Sequence, residues 1–192
     1  MTRIIGGSAG GRRIETPRGD ATRPTSDRVR EALFSTLEAW FEGSLSRISV
    51  LDLYAGSGAI GLEAASRGAS QVVAVESDRS TAQLVQRNAR ALGPTGAVVE
   101  VAAQPVARFL AQPARAQADL VFLDPPYPLT EDDLATDLRL LVEHGWLAED
   151  ALVVVERSRR SPEPTWPDGL EPLSGKRGMK KYGETTLWFS HH

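Results

Sequence analysis

The stretch "ISVLDLYAGSGAIGLEAASRG", residues 48–68, decides the fold. Residues 48–54 form a mostly apolar run that predicts a buried strand, and the glycines after it predict a tight loop that opens a helix of small residues. Glycine lets the backbone turn sharply and lets a ligand approach it closely. A strand, a glycine loop and a helix in this order indicate one unit of a mostly parallel α/β sheet.

Further apolar runs repeat this alternation of strand and helix. The later predicted strands cover residues 71–76, 97–102, 118–124, 151–156 and 185–190. The predicted helices cover residues 26–41, 79–92, 105–112 and 130–143. Most of these strands are continuously apolar, which is typical of a parallel sheet covered by helices on both faces.

Four positions lie at the carboxyl ends of predicted strands: Asp52, Glu76, the Ala103-Gln104 turn and Asp124. Ligands of open parallel sheets bind at that edge, so we expect these positions to converge on one cleft. An acid at the end of the third strand commonly binds the adenine of such a ligand. Gln104 stands there instead, and its side-chain oxygen can take the same role.

The glycine loop reads Gly56-x-Gly58-x-x-Gly61, and Glu76 follows 20 residues after Gly56. A carboxylate there can accept hydrogen bonds from both hydroxyls of a ribose, which indicates an adenosine-containing cofactor. A nicotinamide dinucleotide and S-adenosylmethionine both agree with this spacing. Asp52 favours S-adenosylmethionine, because an acid just before the loop can attract the ammonium of its methionine part. No later segment resembles a hydride-transfer site, which favours the same cofactor.

The segment "LVFLDPPYP" (residues 120–128) ends a buried strand with an acid, two prolines and an aromatic ring. The prolines stiffen the turn, since each fixes φ and lacks an N–H donor. The carboxylate of Asp124 and the carbonyl of Pro125 can accept the two N–H bonds of an exocyclic amine on a base. Tyr127 offers a ring on which that base can stack. The motif therefore predicts methylation of a base amine, with no need for a metal.

Composition excludes several classes of protein. The chain has 192 residues, of which 41% are hydrophobic and 24% charged, and no run approaches the roughly 20 apolar residues that span a bilayer. The absence of cysteine excludes disulfides and thiolate sites and fits a cytoplasmic protein. The net charge is −3, yet residues 1–30 hold seven arginines and residues 176–181 hold four lysines and arginines. Such basic ends can face a polyanion.

Several segments resemble a known family. The glycine-loop segment, "VVAVESD" (72–78) and "LVFLDPPY" (120–127) resemble the class I S-adenosylmethionine-dependent methyltransferases that modify exocyclic amines. "RIIGGSAGGRRIETP" and "RPTSDRVREALF" near the N-terminus, with "KKYGETTLWF" near the C-terminus, resemble the RsmD-type 16S ribosomal RNA (guanine-N2) methyltransferases. The resemblance implies a Rossmann-like, mostly parallel sheet of seven strands, with S-adenosylmethionine as donor. It also implies that the acceptor is a guanine in 16S rRNA of an assembled or assembling small subunit.

The resemblance and the charge pattern together assign roles to residues. The catalytic residues are expected to be Asp124, Pro125, Pro126 and Tyr127. The cofactor is expected to contact Asp52, Tyr54, Ala55, Gly56, Ser57, Gly58, Gly61, Glu76, Ser77, Ala103, Gln104 and Thr25. RNA is expected to contact Arg3, Arg12, Arg13, Arg23, Arg28, Arg30, Lys180, Lys181 and Tyr182. Residues 1–45 are expected to form an RNA-facing hairpin or arm and a helix that close over the cofactor of a methyltransferase domain at 46–192. We expect a monomer with no membrane association.

Other functions stay open at this point. An adenine-N6 methyltransferase acting on nucleic acid and a protein glutamine methyltransferase use a related motif, more often with Asn at the position of Asp124. A non-catalytic assembly factor could bind ribosomal RNA with the same fold. Identification of the methylated nucleoside separates the enzymes, and binding of S-adenosylhomocysteine argues against the assembly factor. A dehydrogenase requires binding of a nicotinamide dinucleotide.

Overall fold

A computed structural model of the chain describes residues 2–17 and 26–192. Five α-helices lie in these residues: α1 (Asp27–Trp40), α2 (Ala59–Ser66), α3 (Arg79–Ala91), α4 (Val106–Leu110) and α5 (Glu131–Glu143). The strands are β1 (Thr2–Arg3), β2 (Arg13–Ile14), β3 (Ser49–Leu53), β4 (Gln71–Glu76), β5 (Val98–Ala103), β6 (Ala118–Leu123), β7 (Leu147–Ser158), β8 (Glu171–Pro172), β9 (Met179–Tyr182) and β10 (Thr185–His191). Thr25 and Arg23, both predicted to contact ligands, lie outside the described residues.

The central sheet has the strand order β5-β4-β3-β6-β7-β10, and it is parallel from β5 to β7. β10 runs antiparallel to β7. Two short strands, β8 and β9, each pair with β10, so the sheet has eight strands among the described residues. The α/β class is confirmed, whereas the count of seven strands is wrong because two separate segments share the last edge.

Apolar side chains cover both faces of the sheet. One face packs against α1, whose Leu33, Phe34 and Leu37 are fully buried. The other face packs against α5, through Leu134, Leu138 and Leu141. Ser26 caps the start of α1, since its side chain accepts a hydrogen bond from the N–H of Val29 at 3.3 Å. This two-sided cover explains why the parallel strands read as continuous apolar runs.

The predicted N-terminal hairpin is present as the pair β1–β2. Ile4 and Ile14 are buried against Leu62 of α2. The buried carboxylate of Glu63 accepts hydrogen bonds from the N–H groups of Ile5 at 2.7 Å and Gly6 at 2.8 Å. The hairpin is thus anchored on the helix that follows the glycine loop. The domain boundary between residues 45 and 46 stays a prediction.

Two regions differ from the sequence-based expectation. β7 begins at Leu147, four residues before the predicted strand, because the chain already pairs with β6 at Ala118. The Pro-rich segment 162–172, which had no predicted place, carries Trp166 onto the core beside α5 and ends in β8. None of the helices in residues 2–17 and 26–192 has the length and apolarity that crossing a membrane requires.

Candidate active site

A cavity of about 680 Å³ lies at the carboxyl ends of the parallel strands. The loops after β3, β4, β6 and β7 form its floor, and β9 and β10 form one wall. Thr16, Pro17 and Val29 close the opposite side. The segments before and after residues 18–25 therefore reach the same cavity as the strand ends.

Four acidic residues end four adjacent strands: Glu76 on β4, Asp52 on β3, Asp124 just after β6 and Glu156 on β7. The register pairs Asp52 with Ala74 and Phe122, and Phe122 with Val154. Glu76 lies two residues beyond Ala74, Asp124 two residues beyond Phe122, and Glu156 two residues beyond Val154. Because side chains alternate with a period of two, all four point from one face of the sheet, and all four line the cavity.

The glycine loop fixes the carboxylate of Glu76. Gly56 adopts φ +56, and its N–H donates to Oε2 of Glu76 at 3.0 Å. The N–H of Asp78 donates to Oε1 at 2.9 Å. A Cβ placed on Gly56 would meet nothing within 4 Å, so its backbone is open to a ligand. The loop thus presents a bare backbone beside a held carboxylate, which suits a ribose.

Gly58 and Gly61 have a packing role and do not line the cavity. A Cβ on Gly61 would lie 2.7 Å from Cγ1 of Val72, and one on Gly58 would lie 2.7 Å from Cγ1 of Val85. Both distances are shorter than the separation of about 3.5–4.0 Å that is optimal for two non-bonded carbon atoms. Gly61 lets α2 approach β4, and Gly58 lets α3 approach the start of α2. Contact of either glycine with the cofactor stays a prediction.

Asp52 is a buried carboxylate at the inner end of the cavity, with 2% of its surface exposed. Its Oδ2 accepts a hydrogen bond from the N–H of Gly61 at 2.9 Å. Burial raises the pKa of Asp52 from 3.8 to about 7, with a further rise from the charge of Glu76, while the Gly61 hydrogen bond opposes it. A bound cation would favour the charged form of this acid.

Asp124 opens the turn that follows β6. Burial raises the pKa of its carboxyl group well above the ordinary value, and the charges of Glu156 and Asp52 raise it further. The charge of Arg157 lowers it. Pro125 is buried, which holds the turn, whereas Tyr127 is 71% exposed at the cavity mouth. The turn therefore combines an acid of raised pKa with an exposed ring.

Tyr54 adopts φ +59, which is uncommon for a residue with a side chain. Its hydroxyl donates to a buried carboxylate oxygen of Asp137 on α5. Burial raises the pKa of Asp137 to about 6, against the effect of that hydrogen bond. The hydrogen bond fixes the start of the glycine loop to α5.

The structure brings most of the predicted site together. Lining the cavity are Asp52, Tyr54, Ala55, Gly56, Ser57, Glu76, Ser77, Asp124, Pro125, Pro126, Tyr127 and Tyr182. Ala103 and Gln104 do not line it, and the side-chain oxygen of Gln104 instead accepts from Nε2 of Gln112 at 3.3 Å. The chain turns away after β5 into α4, so the predicted adenine contact stays a prediction.

The basic residues predicted to contact RNA fall into two groups. Exposed side chains belong to Arg3, Arg12, Arg13, Arg28 and Lys181, and Lys180 is half-buried, with Nζ 2.7 Å from the hydroxyl of Thr36. Arg30 is fully buried, and its Nη2 donates to the carbonyl of Arg3 at 2.7 Å and to Asp27 at 2.8 Å. Arg30 therefore anchors the hairpin to α1, and the expectation that it faces RNA is wrong in this structure.

Sequence reasoning missed several residues of the site. Glu156 and Arg157 line the cavity at the end of β7, and Arg157 pairs with Glu131 of α5. Glu156 ends its apolar run as Glu76 does, and this pattern could have identified it as a site residue.

Asn88 has no comparable pattern in the sequence. Its side chain donates to the carbonyl of Ser57 and binds both backbone groups of Glu15, and so links the N-terminal segment to the glycine loop.

Comparison with known proteins agrees with this architecture. The family model described as "Conserved hypothetical protein 95" matches residues 2–191. The chain is 39% identical over 184 residues to the ribosomal RNA small subunit methyltransferase D of Escherichia coli, covering 94% of this chain and 88% of that protein. It is 37% identical over 161 residues to the protein of the same name from Haemophilus influenzae, covering 83% and 80%.

A solved structure supports the same relationship. The putative methyltransferase yhhF from Escherichia coli superposes with a TM-score of 0.81 at 33% identity, covering 98% of this chain and 96% of that chain. The likeness thus extends over the fold as well as the sequence motifs. The chain belongs to the family of these ribosomal RNA small subunit methyltransferase D proteins, which confirms the identification made from its motifs.

Proposed function

We propose that this chain is an S-adenosylmethionine-dependent methyltransferase that acts on the exocyclic N2 of a guanine in 16S rRNA of the small ribosomal subunit. The observation that carries the proposal is the shared cavity. The Asp124 turn opens into the same space as the glycine loop, Asp52 and Glu76. A donor on the loop and an amine on the turn would therefore meet.

The residues of the cavity suit the cofactor. Glu76, held by two backbone N–H groups, would accept from the ribose hydroxyls. Asp52 would bind the ammonium of the methionine part, which favours the charged form of this buried acid. The cofactor, when bound, supplies a methyl carbon that the amine nitrogen attacks while the C–S electron pair returns to sulfur.

The turn would hold the amine for attack. The carboxylate of Asp124 and the carbonyl of Pro125 accept its two N–H bonds, and the buried position of Pro125 limits reorganisation of the turn. Correct positioning of two reactants can supply about 7–11 kcal/mol of a barrier. The amine loses one proton as its nitrogen becomes bonded to the methyl carbon, and ionised Asp124 is the acceptor that the turn offers.

The basic side chains around the cavity would hold RNA phosphates. Arg159 and Arg160 are exposed between the cavity-lining Ser158 and Ser161, and Lys181 is exposed beside Tyr182 on β9. Neutralising phosphates releases counterions, so affinity for the RNA should fall steeply with salt. A base inside a duplex cannot reach Asp124, so the target guanine would be unpaired or flipped out. We propose that the chain does this as a monomer.

The decisive experiment is transfer of a labelled methyl group to small ribosomal subunits from a strain lacking this protein. We expect the wild-type chain to produce N2-methylguanosine at one mapped position. Asp124→Ala should lose turnover by at least about 100-fold, because one oriented acceptor and the proton acceptor disappear. Its binding of S-adenosylhomocysteine should stay within a few-fold of wild type, since Glu76 and Asp52 remain.

Asp168→Ala, which removes an exposed carboxylate, is the matched control and should behave as wild type. Full activity of Asp124→Ala would refute the proposed role of the turn. Labelled N6-methyladenosine or methylated protein instead of N2-methylguanosine would refute the proposed substrate.

A further inference from the structure

The acid that ends β7 lies next to the acid of the catalytic turn. Leu123 of β6 pairs with Val155 of β7 in parallel register, so Asp124 and Glu156, one residue further along each strand, occupy adjacent positions. Backbones of paired strands lie about 4.8 Å apart. Glu156 is 8% exposed and lines the cavity. Two carboxylates thus flank one narrow space.

The space beside them continues away from the glycine loop. Ser158 pairs with Thr185 of β10, and Thr185 pairs with Tyr182 of β9, so these three side chains lie on the same face as Glu156. All three line the cavity, and Tyr182 is half-buried. The cavity therefore has a polar extension with one ring at its edge, on the side of Asp124 opposite to Asp52.

Asp124 and Arg157 are the charged residues that β6 and β7 place next to Glu156. Asp124 lies on β6, and its charge and that of Glu156 repel each other. Arg157 follows on β7, but it points from the opposite face of the sheet, where it pairs with Glu131 of α5. Leu187, the residue paired with Glu156 on β10, is apolar. A ligand edge that carries only N–H donors would relieve the repulsion between the two acids.

We infer that Glu156 determines specificity for guanine by accepting the N1–H of the target base, while Asp124 and Pro125 hold its N2 amine; this inference rests on the proposed function. Guanine presents N1–H beside N2–H₂, which are donors only. Adenine and cytosine present their amine beside a bare ring nitrogen, whose lone pair would face the carboxylate of Glu156. Two acceptors that face each other in a buried contact repel, so binding of these bases is disfavoured.

The test uses small subunits reconstituted with ligated RNA that carries guanine or 2-aminopurine at the mapped position. 2-Aminopurine keeps the exocyclic amine but has a bare N1. We expect wild type to methylate guanine faster than 2-aminopurine by roughly 10- to 100-fold in kcat/KM, the size of one good hydrogen-bonded base contact. Glu156→Gln, whose amide can donate to a bare nitrogen, should reduce this preference to a few-fold or less.

Glu149→Gln makes the same chemical change at an exposed position near the other end of β7 and should keep the wild-type preference. Binding of S-adenosylhomocysteine shows whether each variant is folded. A Glu156→Gln variant that binds it and retains the full preference for guanine overturns the inference. A wild-type protein that methylates 2-aminopurine as fast as guanine overturns it without any variant, and leaves the proposed function intact. A wild-type protein that methylates no guanine overturns both.

Discussion

Replacement of Asp52 by Asn should make the empty protein more stable at alkaline pH. The pKa of Asp52 lies near 7 in the folded chain and near 3.8 without the fold, because burial disfavours its charged form. A folded-state pKa that is raised means that the native state binds the proton more tightly. The stability that this proton provides is fully present below pH 3.8 and is lost as the pH rises through 7.

The size of the effect follows from the same values. A rise from 3.8 to about 7, at about 1.4 kcal/mol per pH unit, sets an upper limit of about 4 kcal/mol for the cost of ionised Asp52 at pH 8. Asn is neutral at every pH and keeps an oxygen that can accept the Gly61 N–H. The variant should therefore lose less stability than wild type between pH 4 and pH 8.

Urea denaturation of the cofactor-free protein at a series of pH values measures this difference. Asp168→Asn, at an exposed carboxylate, is the control and should follow the wild-type curve. The same Asp52→Asn variant should bind S-adenosylhomocysteine roughly 10- to 100-fold more weakly, because a hydrogen bond to a charged group is lost. A variant that loses stability with pH as steeply as wild type would refute the argument that burial of this charge destabilises the empty site.

Three other changes test separate parts of the structure. Asn88→Ala removes the hydrogen bonds to Glu15 and Ser57, so the free energy of unfolding should fall by about 1–3 kcal/mol. Hydrogen exchange at the Glu15 amide should become faster, and an unchanged exchange rate would contradict the role of Asn88 in linking the N-terminal segment to the glycine loop. Arg157→Met removes a charge that lowers the pKa of Asp124, so the acidic limb of the pH–rate profile should move to higher pH. Arg139→Met removes one partner of an exposed ion pair on α5 and should leave the acidic limb in place. Gly61→Ala places a Cβ 2.7 Å from Cγ1 of Val72, so the free energy of unfolding measured by thermal denaturation should fall by about 1–3 kcal/mol. A wild-type melting temperature would mean that α2 can shift to accommodate the methyl group.

The sequence predicted the parts of the fold that depend on local pattern. Continuous apolar runs identified the parallel strands, and the glycine loop with Glu76 identified the cofactor end of the sheet. It failed where a segment takes its structure from a partner far along the chain. β8 and β9 are two and four residues long, and each is a strand because it pairs with β10. No periodicity over so few residues can indicate such an edge.

The candidate site shows the same division. Arg30 looks like any other arginine of a basic N-terminus, and only the docking of the hairpin on α1 buries it. Asn88 lies inside a helix, and its partners Glu15 and Ser57 precede it in the chain by 73 and 31 residues. Contacts of that length depend on how the helices pack, which short motifs do not encode.

The arrangement of acids predicts that the cavity favours cationic and donor-rich ligands. The alternation of side chains brings Glu76, Asp52, Asp124 and Glu156 to one face, and burial raises the pKa of Asp52 and Asp124 because it removes solvent that would stabilise their charge. A buried acid is stabilised most by a ligand that brings a positive charge or an N–H donor. In the proposed complex, the sulfonium and ammonium of the cofactor lie at the loop end, and the N–H groups of the target base lie at the turn end. The predicted cost of the empty cleft and its proposed selectivity for ligands therefore have one physical origin, the burial of like charges at adjacent strand ends.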